Sequence, residues 1–221
     1  MEMSIKKKAV VLGGTSGMGQ AIVEALSALG FSVVAASKKD IDTSDLESVK
    51  RFARKEQHTD ILVLNTGGPP AKQFFEITET EWLTYHNQLF LGFCVLLKEL
   101  AVKRNGYIFL ISTHHLREPS AKLVLSSAYR LAFASVLKIL SKSYAAQNIT
   151  CVTIAPGPIK TARLTALKGD GLKEFEKTLP LGRAGEPREV ADLIAAIVEH
   201  DIKYLNGVII NLDGGLSNCL F

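Results

Sequence analysis

The sequence is poor in the features that mark several large classes of protein. It has three cysteines in 221 residues, Cys94, Cys151 and Cys219, and they follow no motif spacing. We therefore expect reduced thiols in a cytoplasmic protein rather than a disulfide framework. The longest apolar run, Leu89–Leu97, is nine residues long and contains Gly92. A membrane-spanning helix needs about 20 apolar residues, so we expect no membrane partner.

A marked excess of charge of either sign is also absent. Lys and Arg number 26 and Asp and Glu 22, which gives a net charge of +4 and does not suggest a nucleic-acid partner. With 47% hydrophobic and 22% charged residues the chain can bury a core, which excludes disorder. We find no repeat or linker and expect one domain over residues 1–221. Met1–Lys8 leaves no apolar secretory stretch before the first strand, so we expect a cytoplasmic location.

The chain alternates short β-branched runs with longer segments of helical period. This alternation predicts an α/β fold of the Rossmann type, a doubly wound parallel sheet with helices on both faces. The predicted strands are Lys8–Leu12, Phe31–Ala36, Ile61–Leu64, Tyr107–Ser112, Thr150–Ala155 and Val208–Leu212. The predicted helices are Ser16–Leu29, Thr43–Lys55 with Ser44 as N-cap, Glu79–Lys103, about Leu123–Ala146, and Glu186–His200.

A glycine-rich loop joins the first strand to the first helix. Gly13, Gly17 and Gly19 give a Gly-x3-Gly-x-Gly spacing, which differs from the usual Gly-x-Gly-x2-Gly dinucleotide fingerprint. Such a loop lets a pyrophosphate reach the N–H groups and positive dipole of a helix N-terminus. The same glycines would also suit a plain strand–helix turn.

Several motifs in one order resemble the short-chain dehydrogenase/reductase family. The glycine loop matches with Leu12 in place of the usual Thr, and the match continues over nearly the whole chain. The other matching segments are Asn65-Thr66-Gly67-Gly68, Pro156-Gly157-Pro158-Ile159-Lys160-Thr161, Pro180-Leu181-Gly182-Arg183, Glu186-Pro187, Glu189-Val190-Ala191, Asn206-Gly207 and Asp213-Gly214-Gly215. The resemblance implies a Rossmann-type fold, a nicotinamide cofactor and an oxidoreductase activity on a small-molecule substrate.

The resemblance also implies which residues hold the cofactor. Asp42 carries over as a contact to adenine, although it would equally favour the start of the next helix. The second strand ends in Ser37, Lys38 and Lys39 with no acid among them, so we favour NADP(H) over NAD(H), the alternative being an ordinary solvated lysine pair. The remaining implied contacts are Gly13, Thr15, Ser16, Gly17, Met18, Gly19, Asn65, Thr66, Gly67, Arg130, Pro156, Gly157, Ile159 and Thr161.

The catalytic positions of the family carry other residues in this chain. The family uses a Tyr whose pKa is depressed by a Lys, a Ser that orients the carbonyl, and an Asn in a water relay. A serine hydroxyl is a far weaker acid than a phenol, whose pKa is about 10, so the usual proton step cannot run. Counting from Pro156 and Trp82 places Ser126 at the Tyr position, Arg130 at the Lys, Thr113 at the Ser (with Ser112 beside it) and Leu89 at the Asn.

Replacement proton donors are available nearby in the sequence. Tyr129 lies one helical turn from Ser126 and beside Arg130, and His114 and His115 follow the predicted fourth strand. Each would also suit an ordinary surface side chain, and no direct replacement is the third option. The two histidines lack spaced carboxylate or cysteine partners, so we expect no metal site.

These residues leave three functions open. The first is an NADP(H)-dependent oxidoreductase acting on a carbonyl or alcohol, or on an activated C=C bond, with a non-standard proton donor. The second is a cofactor-binding sensor or partner protein without turnover, and the third is a non-redox isomerase or dehydratase. Thr161–Leu179 falls at the family's substrate lid, and its leucines and lysines suit an anionic, partly apolar substrate or any amphipathic helix. The resemblance, with an apolar helix around Phe90–Leu96, implies a homodimer or homotetramer.

The chain is short for this fold. Asp40-Ile41-Asp42, where a third strand would lie, begins only four residues after Ala36. A parallel crossover needs about a dozen residues or more, so its helix does not fit. We therefore expect the edge strand and its crossover helix to be missing, or reduced to a stub near Asp42.

Overall fold

A computed structural model describes residues 6–220 of the chain, so the prediction made on Met1–Ile5 lies outside the described residues. The strands are β1 (Lys8–Leu12), β2 (Ser32–Ala36), β3 (His58–Leu64), β4 (Ala101–Ile111), β5 (Thr150–Pro156) and β6 (Val208–Leu212). The helices are α1 (Gly17–Ala28), α2 (Leu46–Glu56), α3 (Glu79–His86), α4 (Gly92–Glu99), α5 (Val124–Tyr144), α6 (Ala162–Lys168), α7 (Leu172–Lys177) and α8 (Pro187–Glu199).

The strands form one parallel sheet in the order β2-β1-β3-β4-β5-β6. Helices cover both of its faces, each over its own apolar cluster. On one face α1 and α8 bury Ile22, Leu26 and Ile194. On the other, α4 and α5 pack Phe93 against Phe133, whose ring centroids lie 5.1 Å apart. The predicted Rossmann-type sheet is confirmed, and all parallel strands end at one edge, where ligands bind in such folds.

The sheet ends at β2, so within the described residues the predicted loss of the outer strand is confirmed. A turn links Ala36 to α2, and Ile41 fills the core in place of a strand, with 5% of its surface exposed. Gly92 permits this short link, because a Cβ there would collide with the Thr43 carbonyl oxygen. The predicted N-cap is wrong: Asp45 rather than Ser44 accepts from the Glu47 N–H, at 3.0 Å.

Two predicted boundaries also need correction. The helix predicted to reach Lys103 ends at Glu99, after a π-helical turn, Asn87–Leu91, that separates α3 from α4. Leu100 is already extended, and the next residues pair with the start of β3, which itself begins before the predicted Ile61. Val102 there is buried, so the gain from pairing and burial overrides the helical pattern.

By length and composition one stretch, Val124–Gln147, could cross a membrane, with a mean hydropathy of 1.3. It consists of α5 and the turn that follows. Its apolar side is buried against the sheet of the same chain, where Leu125, Phe133 and Leu137 are each at most 3% exposed. The stretch is therefore a core helix of the fold.

Candidate active site

Two adjoining cavities follow the carboxyl ends of β1 to β4. The edge cavity, about 350 Å³, is next to β2, and the central cavity, about 330 Å³, lies beyond β3 and β4. They form one cleft, since both are lined by Gly13, Ser16, Asn65, Thr66 and Gly67. The edge cavity adds Leu12, Thr15, Ser37, Lys38, Ile41, Asp42, Thr43 and Gln88, and the central cavity adds Gly17, Met18, Gly68, Ile111, Ser112, Thr113, Leu123, Ser126, Arg130, Thr161, Ala162, Arg163 and Leu167.

The glycine loop needs its glycines for steric reasons. Gly13 and Gly17 have φ angles of +60° and +52°, in the left-handed region that side chains disfavour. A Cβ on Gly13 would come within 2.7 Å of Asn65 Nδ2, which donates to the Leu12 carbonyl at 3.2 Å. A Cβ on Gly19 would collide with the Gly13 carbonyl. Gly19 thus packs the loop, while the other two glycines line the cleft.

The N-terminus of α1 opens onto this cleft without a cap. The Ser16 side chain makes no capping hydrogen bond, and the first turn holds no acidic residue. The first N–H groups of a helix have no partner within it, and together with the dipole they favour an anion. Ser16, Gly17 and Met18 all line the central cavity. The local structure therefore fits a pyrophosphate.

An acid stands at the end of β2, although Ser37–Lys39 contains none. A turn brings Asp40 back, so that its Oδ2 accepts from Ser37 N–H and Oγ at 2.8 and 2.7 Å. These hydrogen bonds lower the pKa of Asp40. Lys38 Nζ lies 3.3 Å from Asp42 Oδ2, and Lys39 is exposed. A 2′-phosphate would meet two lysines here, but also the carboxylate of Asp40.

Asp42 is held by the turn that precedes α2. Its Oδ1 accepts from Ser44 N–H and Oγ at 3.0 and 2.7 Å. Burial raises the pKa of Asp42, but these hydrogen bonds outweigh it and the pKa is lowered. Asp42 lines the edge cavity with Lys38, as expected of a residue near adenine.

Arg130 projects from α5 to the carboxyl ends of two strands. Its Nη1 donates to the Ile111 carbonyl at 2.9 Å and its Nη2 to the Thr66 carbonyl at 3.0 Å. Only 8% of the residue is exposed. Burial, and then the charge of Arg163, lower the pKa of Arg130 to about 10. The guanidinium therefore remains protonated at neutral pH.

Ser112, Thr113 and Ser126 supply three of the hydroxyls that line the central cavity together with Arg130. Thr113 and Ser126, the predicted replacements for the family's Ser and Tyr, both line it. Ser112 lines it too, and its buried Oγ has no hydrogen-bond partner among residues 6–220. Thr113 Oγ1 accepts from the His115 N–H at 3.3 Å. The structure thus brings Ser112, Thr113, Ser126 and Arg130 together.

Tyr129 is placed elsewhere, on the α3 side of α5. Its Oη donates to the Trp82 carbonyl at 3.1 Å, and its ring packs edge-on against Trp82 and His86, with centroids 5.8 and 5.5 Å away. Burial raises the pKa of Tyr129, whereas the family's catalytic Tyr needs a depressed one. Tyr129 is not among the residues that line the cleft.

The two histidines also lie outside the lining of the cleft. His114 Nδ1 is 3.3 Å from the Pro156 carbonyl oxygen, and its ring centroid is 3.8 Å from that of His115. His115 Nδ1 lies 3.0 Å from the Glu118 carbonyl oxygen. Burial, followed by the charge of His115, lowers the pKa of His114.

The turn after β5 contributes less to the cleft than the sequence indicated. Of its four predicted cofactor contacts only Thr161 lines the central cavity. Pro156 and Gly157 line neither part of the cleft, and Ile159 borders a separate cavity of about 140 Å³. Leu89, at the position of the family's Asn, is 1% exposed and also lies outside the cleft.

Gln88 and Arg163 line the cleft but were not among the site residues predicted from the sequence. Gln88, in the π-helical turn, donates from Nε2 to the Gly67 carbonyl at 2.8 Å and lines the edge cavity. Arg163, on α6, donates to the carbonyls of Gly68 and Pro69 at 2.9 and 2.6 Å and lines the central cavity. The position of Arg163, two residues after the predicted contact Thr161, could have indicated that it lies at the cleft. No sequence pattern marks a π-helical turn, so Gln88 could not be predicted.

A parallel Rossmann-type sheet with an uncapped helix N-terminus at an open cleft beyond the strand ends is the arrangement of a nicotinamide-dependent oxidoreductase. A family model described as Enoyl-(Acyl carrier protein) reductase matches residues 41–217. The 3-oxoacyl-[acyl-carrier-protein] reductase FabG of Chlamydia pneumoniae is 30% identical over 208 residues, which cover 90% of this chain and 82% of that protein. The chain belongs to the short-chain dehydrogenase/reductase family.

Further relatives agree with this assignment. The probable 2,4-dienoyl-CoA reductase of Bacillus subtilis is 26% identical over 248 residues, covering 95% of this chain and 96% of that protein. A small-chain dehydrogenase solved in complex with NADPH has a TM-score of 0.83 and 28% identity, covering 96% of this chain and 99% of that one. YwfH, an NADPH dependent reductase involved in bacilysin biosynthesis, has a TM-score of 0.86 at 22% identity, covering 98% and 100%. The last likeness concerns the fold alone.

The buried His114 predicts a pH dependence of stability. A lowered pKa in the folded protein means that the unfolded chain takes up the proton first, at its ordinary pKa of about 6.5. Stability is therefore lost as the pH falls below that value towards the folded pKa. Replacing His114 by Asn should flatten the fall in melting temperature between about pH 7 and pH 5.

The exposed His58 provides the matched control, since His58→Asn also replaces an imidazole but not a buried one. Equal profiles for His114→Asn and the unmodified protein would contradict the assignment.

Proposed function

We propose that this protein is an NADP(H)-dependent reductase of activated C=C bonds, that is, double bonds conjugated to a carbonyl. One observation carries the proposal: among the residues lining the central cavity, the ionisable side chains are Arg130 and Arg163. No phenol, imidazole, amine, thiol or carboxyl group lines it. The cavity thus offers hydroxyls and fixed positive charge, but no acid suited to rapid proton transfer at neutral pH.

This chemistry favours a conjugated alkene over a simple ketone. A bound reduced nicotinamide supplies the hydride. A ketone needs a proton on its oxygen as the hydride arrives, whereas a conjugated alkene moves its negative charge onto the carbonyl oxygen and takes its proton later, from water. Arg130 and the unpartnered Ser112 hydroxyl are placed to stabilise that oxygen, with Ser126 beside them. Overall one hydride and one proton add across the double bond.

The cofactor contacts follow from the cleft. The uncapped N-terminus of α1 would hold the pyrophosphate, Asp42 the adenine, and Arg130 the ribose that carries the nicotinamide; these residues all line the cleft or open onto it. Lys38 and Lys39 would pair with the 2′-phosphate, and these two cations favour NADP(H) over NAD(H), whereas Ser37 already donates to Asp40 Oδ2. The NADPH bound in a relative of 28% identity supports the same choice.

The lysine assignment predicts a selective loss of NADPH affinity. Replacing Lys38 and Lys39 together by Gln removes the cations that pair with the 2′-phosphate, and each such charged hydrogen bond contributes about 1.5–3 kcal/mol. NADPH should bind at least about tenfold more weakly while NADH affinity is unchanged, as measured by calorimetric titration.

Lys173 and Lys177 on α7, replaced together by Gln, are the control for the loss of two charges. If replacing Lys38 and Lys39 weakened the binding of NADPH and NADH equally, these lysines would not bind the 2′-phosphate.

Removing the Ser112 hydroxyl and removing the Tyr129 hydroxyl should affect the rate of reduction differently. With 1-phenyl-2-buten-1-one as substrate, Ser112→Ala should slow NADPH oxidation by about 10²-fold, the usual effect of removing one oxyanion donor. Tyr129→Phe should leave the rate unchanged, because that hydroxyl is bound to Trp82 outside the cleft. Butyrophenone, the saturated ketone of the same skeleton, should react far more slowly.

Loss of activity in a folded Tyr129→Phe variant, or faster reduction of the saturated ketone, would argue for a phenol acid. Tight NADPH binding without oxidation by any enone or ketone would exclude the reductase proposal.

We also propose that the protein is a homodimer or homotetramer. Leu83 on α3 and Leu131 and Ile139 on α5 are apolar yet 68%, 46% and 63% exposed. Phe93 and Leu96, by contrast, are buried within the chain itself and add nothing to such an interface. Light scattering should give the mass of two or four chains, and Ile139→Glu should lower it. A monomer of 24.0 kDa at micromolar concentration would contradict the proposal.

A further inference from the structure

Two guanidinium groups converge at one wall of the central cavity. A Cβ built on Gly68 would lie 3.1 Å from Arg163 Nη2 and 3.8 Å from Arg130 Nη2, so both cations border the same point. Arg130 comes from α5, beneath the cavity, and Arg163 from α6, in the segment predicted as the substrate lid. The carbonyls of Gly68 and Pro69 hold Arg163 in place at 2.9 and 2.6 Å.

Neither cation has a protein counter-ion within residues 6–220. No carboxylate lies within 4.0 Å of either guanidinium, and no Asp or Glu lines the central cavity. Arg130 is 8% exposed and feels the charge of Arg163. Two like charges kept together in a cleft without an acid call for an anionic ligand.

The pair lies away from the lysines that would meet the 2′-phosphate. Gly68, Arg130 and Arg163 line the central cavity but not the edge cavity, which Lys38 lines. The uncapped N-terminus of α1 also lines the central cavity, and its own N–H groups provide for the pyrophosphate. This leaves Arg163, with the charge of Arg130 behind it, for an anion of the substrate.

The central cavity also has apolar walls. Leu123 and Leu167 line it together with Ile111, at the end of β4. The space beside the arginines thus suits a ligand with an apolar body and a single anionic group. Each Nη of Arg163 donates one N–H to a carbonyl and has a second N–H left to donate to a carboxylate.

We propose that Arg163, backed by the buried charge of Arg130, binds a carboxylate of the substrate, so that the hydride acceptor is an unsaturated keto acid or a similar enone carrying a free carboxylate. The proposal rests on the reductase function above and names its substrate class. A neutral thioester, as in the acyl-carrier-protein and CoA substrates that two of the relatives are named for, would leave the arginine pair without its anion.

A binding measurement tests the proposed carboxylate site without requiring turnover. The probes are 3-benzoylpropionate, which has no C=C bond, and its methyl ester, which has the same skeleton without the charge. Calorimetry on the protein saturated with NADP⁺ should show the acid binding about ten- to a hundredfold more tightly than the ester. Equal affinities, or no detectable binding of the acid, would overturn the proposal.

Arg163 is the residue to vary, because it is exposed and its loss should not unfold the chain. Arg163→Gln should abolish the difference between acid and ester while NADPH affinity is retained, and Arg163→Lys should restore part of the difference. Lys173→Gln, which removes one charge from the same segment, should preserve it. An equal loss of NADPH and acid affinity in Arg163→Gln would assign the arginine to the cofactor and overturn the proposal.

Kinetics then distinguish this inference from the reductase function. Trans-3-benzoylacrylate should be reduced with a lower KM than its methyl ester, and Arg163→Gln should raise the KM of the acid alone. If neither compound is reduced but the acid–ester difference in binding depends on Arg163, the reductase proposal fails and the carboxylate site stands. Faster reduction of crotonyl-CoA than of the acid would assign the site to thioesters instead.

Discussion

The buried charge of Arg130 is the constraint to which the rest of the cleft conforms. Removing a guanidinium from water costs several kcal/mol, and two neutral carbonyls at the ends of β3 and β4 offset only part of that cost. Because no carboxylate within residues 6–220 pairs with it, the cavity keeps a standing positive potential. Such a potential stabilises a negative oxygen that develops during the reaction, and it needs no proton to do so.

The two parts of the cleft around this charge differ in how closely their residues match the family pattern. The glycine loop, the uncapped α1 and the turn before α2 follow the family pattern on which we base the proposed dinucleotide contacts, although the sheet stops at β2. Among residues 6–220, those that line the central cavity carry hydroxyls and two guanidinium groups but no phenol and no amine. A reaction that relies on charge stabilisation more than on proton donation is consistent with both parts.

Much of the fold could be predicted because its signals are local. Continuous apolar runs predicted the strands, and the three residues between Ala36 and Asp40 left no room for a crossover. The start of β4 could not be predicted, since its pairing with His58 and Thr59 depends on partners far away in sequence. The choice between Ser44 and Asp45 as N-cap depends on where Asp42 lies, which again is a matter of the folded turn.

The site divides in the same way. Counting along the chain put Ser126, Thr113 and Arg130 at the family's catalytic positions, and all three line the central cavity. Tyr129 looked equally available from the sequence, yet one residue of rotation turns it from the cleft to Trp82. Asp40 meets Ser37 only through a turn, and Arg163 reaches the cleft from α6, so these contacts could be identified only in the three-dimensional structure.

The position of the transferred hydrogen tests the central claim most directly. With NADPH that carries deuterium on the transferred position and 1-phenyl-2-buten-1-one as acceptor, nuclear magnetic resonance of the product locates the label. A cavity that works through the charge of Arg130 should give the saturated ketone, labelled on the carbon β to an intact carbonyl. Deuterium on a carbinol carbon, in an allylic alcohol, would show that a proton donor serves the carbonyl oxygen and would contradict the account.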